Sequence, residues 1–240
     1  RVRELNIYSE IHPFNKIPVN IDNYGALILS GSPYSVRDKS SPKVDLDYLL
    51  NKFPTMAVCY GAQLIANEMG GNVESSNIRE YGRANLKVIK NKNILFEGVK
   101  QNSQVWMSHS DTISILPKNS ILLASSEDVE NVAFQYLENN FCLQFHPEVY
   151  HSVDGKKFLE NFLVKVCKLK QNWTPKSFIQ KTILDLKNEI GSDKVILGLS
   201  GGVDSSVAAV LLNRAVGNQL HCIFVNNGLL RKDEFENVLD

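Results

Sequence analysis

The sequence predicts an α/β protein built from two modules. Apolar runs of four to six residues, bounded by Gly, Pro, Asn or Ser, recur along the chain. Several are followed by stretches whose apolar residues return at helical spacing, the alternation that builds helix-covered sheets. The length, 240 residues with 43% apolar and 22% charged, suits one large domain or two modest ones.

Taken in order, strands are expected near Ile7 to Ile11, Ala26 to Leu29, Thr55 to Val58, Leu86 to Ile89, Val105 to Met107, Ile121 to Ala124, Ala133 to Leu137 and Phe141 to Phe145. The last two read as a hairpin turning through Glu138 to Asn140. Helices are expected over Val44 to Asn51, over Gly61 to Met69, where Gly70 and Gly71 suit a left-handed stop, and over Gly155 to Lys168. A polar stretch, Lys168 to Trp173, then interrupts the pattern. Thr174 followed by Pro175 is a capping residue before the ring that fits a first helical turn, and Phe178, Ile179, Ile183, Leu186 and Ile190 continue at helical spacing. Strand Val195 to Leu199, a loop, helix Ser205 to Val216 and strand Leu220 to Val225 complete one βαβ unit. The modules are therefore drawn as residues 1–170 and 174–240. Two strands cannot bury a parallel sheet on both faces, RVREL reads as the tail of a helix, and the pattern stops mid-element at Asp240. The expectation is a piece of a longer protein, lacking its first strand and most of its second module.

Composition excludes several classes of function. Twenty-six Lys and Arg balance 26 Asp and Glu, which gives no basic face for phosphate-backbone binding, so no nucleic-acid partner is expected. No apolar run approaches the roughly 20 residues of a membrane helix, and residues 1–20 show no leader, so the expected place is the cytoplasm, with no membrane partner. Cys59, Cys142, Cys167 and Cys222 are too far apart for a CxxC zinc pair or a compact disulfide framework, and each is read singly.

In TMAVCYGAQLIANEMGG an apolar strand runs directly into a helix with Cys59 at the turn. A thiol there lies beside the helix's positive end, which favours the thiolate, and neighbouring amides are placed to hold an oxyanion. By itself a cysteine closing an apolar run also fits a small buried hydrophobe. In FCLQFHPEV, a strand delivers His146, Pro147 and Glu148; residues i and i+2 of extended chain share a side, so Glu148 can fix the tautomer of His146. HPE alone also fits a polar turn.

Together, CYGAQ and QFHPE resemble the class I glutamine amidotransferases, a flavodoxin-like, three-layer α/β/α family. The resemblance implies Cys59 as nucleophile, His146 as general base and acid, and Glu148 as its orienter. It also implies LSGSP as the oxyanion loop, with the backbone amides of Ser32 and Tyr60 as donors, and Gln63, His109 and Asp111 as residues that hold glutamine. Ser32, Ala57 and Ser110 stand where the family more often has glycine. His12, His151 and His221 receive no role.

SGGVDSS, between strand VILGL and an apolar helix, offers glycines for close backbone approach, a helix N-terminus for anionic oxygens, and hydroxyl donors. No lysine follows, so it is not a GxxxxGK[ST] loop, and Asp204 is the nearest candidate metal ligand. A bare SGG also fits an ordinary capped turn. The whole string resembles the PP-loop ATP pyrophosphatases, of adenine-nucleotide α-hydrolase-like fold. That resemblance implies ATP binding by Ser200, Gly201, Gly202, Val203, Asp204, Ser205 and Ser206, with magnesium at Asp204 arriving with ATP rather than as a resident cofactor. Asn226 stands where aspartate is more usual in that family.

An amidotransferase followed by a PP-loop module, with REYG at Glu80 and LLRKDE near the end, resembles the glutamine-hydrolysing GMP synthase family. It implies the small-molecule substrates glutamine, ATP and xanthosine monophosphate (XMP), release of pyrophosphate from ATP, and a homodimeric enzyme. A different acceptor, a catalytically silent binding module and a γ-glutamyl hydrolase remain alternatives, the last leaving SGGVDSS unexplained.

Overall fold

TMAV at 55–58 is buried along its whole length and apolar but for Thr55, as a strand covered on both faces requires. The computed structural model describes residues 1–88, 90, 92–226 and 228, without the side chains of 77–80 and 88. The described residues divide into two compact units, one over Arg1–Asn172 and one that begins at Trp173.

In the first unit the strands are β1 (Leu27–Leu29), β2 (Thr55–Val58), β3 (Asn72–Asn85), β4 (Lys87–Val88), β5 (Gln104–Ile115), β6 (Ser120–Ser125), β7 (Ala133–Tyr136) and β8 (Asn140–Leu143). The helices are α1 (Leu46–Lys52), α2 (Tyr60–Glu68) and α3 (Gly155–Glu160). The main sheet runs β1-β2-β8-β7-β6-β4. Its first three strands are parallel, with Leu29 opposite Ala57 and Val58 opposite Leu143. The remaining pairings are antiparallel.

Alternation along β2 and β8 divides the core between the two faces. Met56, Val58, Phe141 and Leu143 join Phe158 and Phe162 on one side. Ala57 and Cys142 meet Leu46, Leu50, Ala62 and Ile65 from α1 and α2 on the other. The result is the three-layer arrangement expected of this α/β class. Gly70 has φ +85°, the left-handed stop expected after α2.

Several elements of the first unit differ from the sequence expectation. Residues 7–11 form no strand: Ile7 is buried, but Ile11 is fully exposed, and the Tyr8 and Tyr24 hydroxyls turn to the Glu10 carboxylate at 2.8 and 2.5 Å. One buried side chain without a neighbouring ladder does not hold a strand. Conversely, the 14-residue β3 has no signal in the sequence because ESSNIREYGRAN lacks an apolar face; it is held by its antiparallel partner β5. The helix expected through Lys168 is α-helical only in α3 and widens to π over Asn161–Val166. There Asn161 Nδ2 donates to the carbonyls of Leu95 and Glu97 at 3.0 and 2.8 Å. The strand expected at Leu86 to Ile89 is the two-residue β4, and Ile89 lies outside the described residues.

The second unit contains α4 (Pro175–Ile190), β9 (Val195–Leu199), α5 (Val203–Val216) and β10 (Leu220–Phe224). The Thr174 hydroxyl accepts from the Ser177 N–H at 3.0 Å and the Ser177 hydroxyl accepts from the Thr174 N–H at 3.0 Å, closing a reciprocal cap with Pro175 in the first turn. β9 and β10 pair in parallel around α5, the expected βαβ unit. Among the described residues no helix is long and apolar enough to cross a membrane.

Candidate active site

Three adjacent parallel strands release their chains at one edge of the sheet, the edge where open α/β sheets place ligand sites. β1 leads into Ser30, Gly31 and Ser32, β2 into Cys59, and β8 runs on to His146. Cys59 is the bend itself, with φ 51° and ψ −108°, a region non-glycine residues rarely adopt and one that costs about 1–3 kcal/mol. Its N–H donates to the Leu143 carbonyl at 2.7 Å, which ties the bend to β8. Gly61 makes the bend possible, because a Cβ there would lie 2.6 Å from the Leu29 carbonyl oxygen. The Cys59 thiol points back toward the Ser108 carbonyl at 3.7 Å.

His146 Nδ1 lies 2.6 Å from Glu148 Oε1, the i, i+2 pairing read from HPE. Hydrogen bonding to the Cys59 sulfur, and then to Glu148, outweighs burial and lifts the imidazole to about 10. For Glu148, burial pushes the carboxyl up, but its hydrogen bond to His146 prevails and the net value lies below the usual one. With Nδ1 given to Glu148, the nitrogen left for Cys59 is Nε2. Gly31 shows how close the groups stand: a Cβ built on it would lie 3.2 Å from His146 Cε1 and 3.7 Å from Cys59 Cβ.

These groups share a cleft of about 970 Å³ with Ser32, Gln63, His109 and Asp111. Tyr60 opens α2, so its N–H belongs to the first-turn amides that have no carbonyl one turn behind them. Burial alternates along β5, turning His109 and Asp111 inward while Ser108 and Ser110 face out. Burial holds the His109 imidazole below its usual value, against the pull of the Asp111 backbone. Gln63 Nε2 donates to the Asp111 carbonyl at 2.8 Å. The Asp111 carboxylate accepts from the Ser35 hydroxyl and from Arg37 Nη2, the latter at 2.9 Å. Its charge is thus already met by Arg37, and it anchors the 30–38 loop that carries Ser32. Sequence reasoning missed Ser35, Arg37 and the closeness of Gly31; YSVR directly after the LSGSP match was the available signal. The REYG side chains of Arg79 and Glu80, and LLRKDE, lie outside what the structure describes.

The other thiols differ. Burial pushes the Cys142 thiol well up and lifts Cys167 to about 12. Cys222 is exposed.

In the second unit, Ser200–Ser206 forms the turn from β9 into α5, with Gly201 at φ +76° and Gly202 as the helix cap. The Ser205 and Ser206 hydroxyls both donate to the Gly202 carbonyl at 3.0 Å, and the Ser200 and Ser205 hydroxyls lie 3.1 Å apart. Glycine backbone, clustered hydroxyls and a 14-residue helix's N-terminus suit a polyphosphate. Among the described residues no three His, Cys, Asp or Glu side chains gather to cage a metal, and Asp204 sits in the first turn of α5.

Comparison with known proteins agrees with both units. A GMP synthase [glutamine-hydrolyzing] of Christiangramia forsetii is 60% identical across the whole chain, which covers 47% of that protein. The corresponding protein of Flavobacterium psychrophilum is 58% identical with the same coverage. The chain thus spans about half the length of the curated relatives it matches. A crystal structure described as a GMP synthase subunit from Thermoplasma acidophilum superposes with a TM-score of 0.56 at 27% identity, covering 75% of this chain and 88% of that one. Residues 176–236 match the NAD synthase family. Residues 1–166, well over half of the chain, match the model for class-I glutamine amidotransferases, and the chain belongs to that family.

Proposed function

We propose that the first unit hydrolyses glutamine to glutamate and ammonia at Cys59. We further propose that the whole protein uses that ammonia in an ATP-dependent conversion of XMP to GMP. The observation that carries the reading is the convergence of Cys59, His146 and Glu148 at the ends of β2 and β8.

The chemistry follows from the geometry. As His146 Nε2 takes the proton of the Cys59 thiol, with Glu148 stabilising the imidazolium, the sulfur attacks the side-chain carboxamide carbon of glutamine. Charge moves onto the carboxamide oxygen, where the N–H groups of Ser32 and Tyr60 are placed to receive it; losing one such donor costs roughly 10²- to 10³-fold in rate. His146 then gives its proton to the departing amine, ammonia leaves, and a γ-glutamyl thioester remains. Neutral His146 next takes a proton from water, whose oxygen attacks the thioester. Glutamate leaves and the thiolate–imidazolium pair is restored. Gln63, His109 and Asp111 line the same cleft and form the proposed glutamine pocket.

In the second unit the Ser200–Ser206 turn would hold the phosphates of ATP through backbone amides and hydroxyls. Magnesium, which binds few protein ligands when phosphates supply the others, would arrive with the nucleotide and meet Asp204. Adenylation of XMP would release pyrophosphate, and ammonia would displace AMP. The identity to GMP synthases over the whole chain supports this acceptor. The same relatives, with four unpaired cysteines in this chain, support a cytoplasmic enzyme. The homodimer rests on the family resemblance.

In the full-length protein, Cys59→Ala is expected to abolish glutamine-dependent synthesis and to leave ammonia-dependent synthesis intact. Equal loss of both would overturn the division of labour.

A further inference from the structure

His146 is held by more than Glu148. Its N–H donates to the Trp106 carbonyl of β5 at 2.9 Å. The reciprocal bond of an ordinary rung, from the Trp106 N–H to the His146 carbonyl, is replaced by an inserted hydroxyl. Ser152 Oγ accepts from the Trp106 N–H at 3.0 Å and donates to the His146 carbonyl at 2.5 Å. The hydroxyl has one proton, so its direction is fixed: a lone pair faces Trp106 and the proton faces His146. The carbonyl it grips matters because the next residue is Pro147, which has no N–H, so the His146–Pro147 peptide plane can be anchored only through its oxygen. On the far side of Pro147, Gly155 packs so closely that a Cβ there would lie 2.0 Å from the Pro147 carbonyl oxygen. Ser152 is itself 5% exposed, so water does not readily substitute for its hydroxyl.

We infer that Ser152 is a positioning residue for the proposed glutaminase reaction: its hydroxyl, inserted between Trp106 and His146, sets the backbone plane from which the imidazole is aimed at Cys59. It touches neither substrate nor the reacting atoms and acts only through His146. The inference rests on the role given to His146 under the proposed function.

The test uses three variants of the full-length protein. Ser152→Thr keeps the hydroxyl, Ser152→Val has threonine's shape without it, and Ser152→Ala removes it with least bulk. Glutamine-dependent kcat is expected to fall about 10- to 100-fold in Ser152→Val and Ser152→Ala, the scale of an ångström of misplacement. The KM for glutamine and ammonia-dependent synthesis should stay within about threefold, and Ser152→Thr should stay close to the wild type. A second readout needs no glutamine chemistry: the rate at which iodoacetamide alkylates Cys59 at pH 6 should fall in Ser152→Val and Ser152→Ala only. Ser152→Val behaving as Ser152→Thr in both readouts, or KM and ammonia-dependent synthesis falling together with kcat, would overturn the inference. A wild type that alkylates at Cys59 but fails to hydrolyse glutamine would instead count against the proposed function.

Discussion

Glu148 Oε1 lies 2.6 Å from Nδ1 of His146, and the Cys59 sulfur, followed by this carboxylate, holds the imidazole charged far above the pH at which a free histidine loses its proton. Because the folded value of His146 is raised, to about 10 from 6.5, the pairing stabilises the fold fully below pH 6.5, and this contribution is lost as pH climbs toward 10. Glu148, with its value depressed below 4.5, works in the opposite window: its contribution is present above 4.5 and is lost as pH falls through the depressed value.

The alkaline limb of glutaminase activity is therefore expected near pH 10 in the wild type. In Glu148→Gln it should move down by at least about one pH unit, with kcat reduced about 10²- to 10⁴-fold, the range for a misdirected general acid–base. A pH–rate profile of both proteins checks this.

Gly31 stands where no side chain fits without moving the imidazole. A Cβ there lies 3.2 Å from His146 Cε1, tighter than ordinary contact, so Gly31→Ala must push the ring by a few tenths of an ångström. A drop in kcat of about tenfold is expected, since a full ångström costs about 10². The urea midpoint should hardly change, because the His146 ring borders the cleft and can give way into it.

Gly155→Ala is expected to do the reverse of a local effect. Its Cβ would meet backbone, 2.0 Å from the Pro147 oxygen, and backbone cannot swing aside as a side chain can. Overpacking of this kind costs about 1–3 kcal/mol, and the shift should be read in urea unfolding followed by tryptophan fluorescence. Glutamine-dependent activity should fall with it, because the displaced turn after β8 carries His146.

Asp111 joins the inward face of β5 to the loop that carries Ser32, through the Ser35 hydroxyl and Arg37. Asp111→Asn keeps the shape but removes the charge, so the loop is expected to loosen and kcat to fall about tenfold, less than the 10²-fold of a wholly lost oxyanion donor. Arg37→Met should destabilise by about 1–3 kcal/mol, because the Arg37 side chain is 46% exposed but the Asp111 side chain is only 5% exposed and would be left as a buried carboxylate without its cation. Steady-state kinetics and urea unfolding of the two variants separate the effects.

The parts of the molecule legible in its sequence were those with a strong local signal. Thr55–Val58 and Val195–Leu199 appear where the apolar runs place them, and Thr174 caps α4 as its position before Pro175 required. Cys59 and His146 could be picked out because each follows an apolar run, and Glu148 because it stands two residues past His146. β3 could not be, since its residues are polar and its stability comes from a partner about 30 positions away. Ser152 and Arg37 escaped for a related reason. A hydroxyl six residues past His146, or a guanidinium four residues past Pro33, acquires meaning only once β5 is folded against them. Ile7 to Ile11 misled because an apolar residue at each end resembles a strand while only one end reaches the core.

The most direct measurement of the central claim is peptide mass spectrometry after exposure to a diazoketone analogue of glutamine. One modified thiol is predicted, Cys59, protected by added glutamine, with Cys142 and Cys167 unmodified because burial holds them as neutral thiols, and exposed Cys222 left alone because it does not line the cleft that Cys59 shares with Gln63, His109 and Asp111. Modification spread over Cys222 and the other cysteines, or at Cys59 with no protection by glutamine, would contradict it.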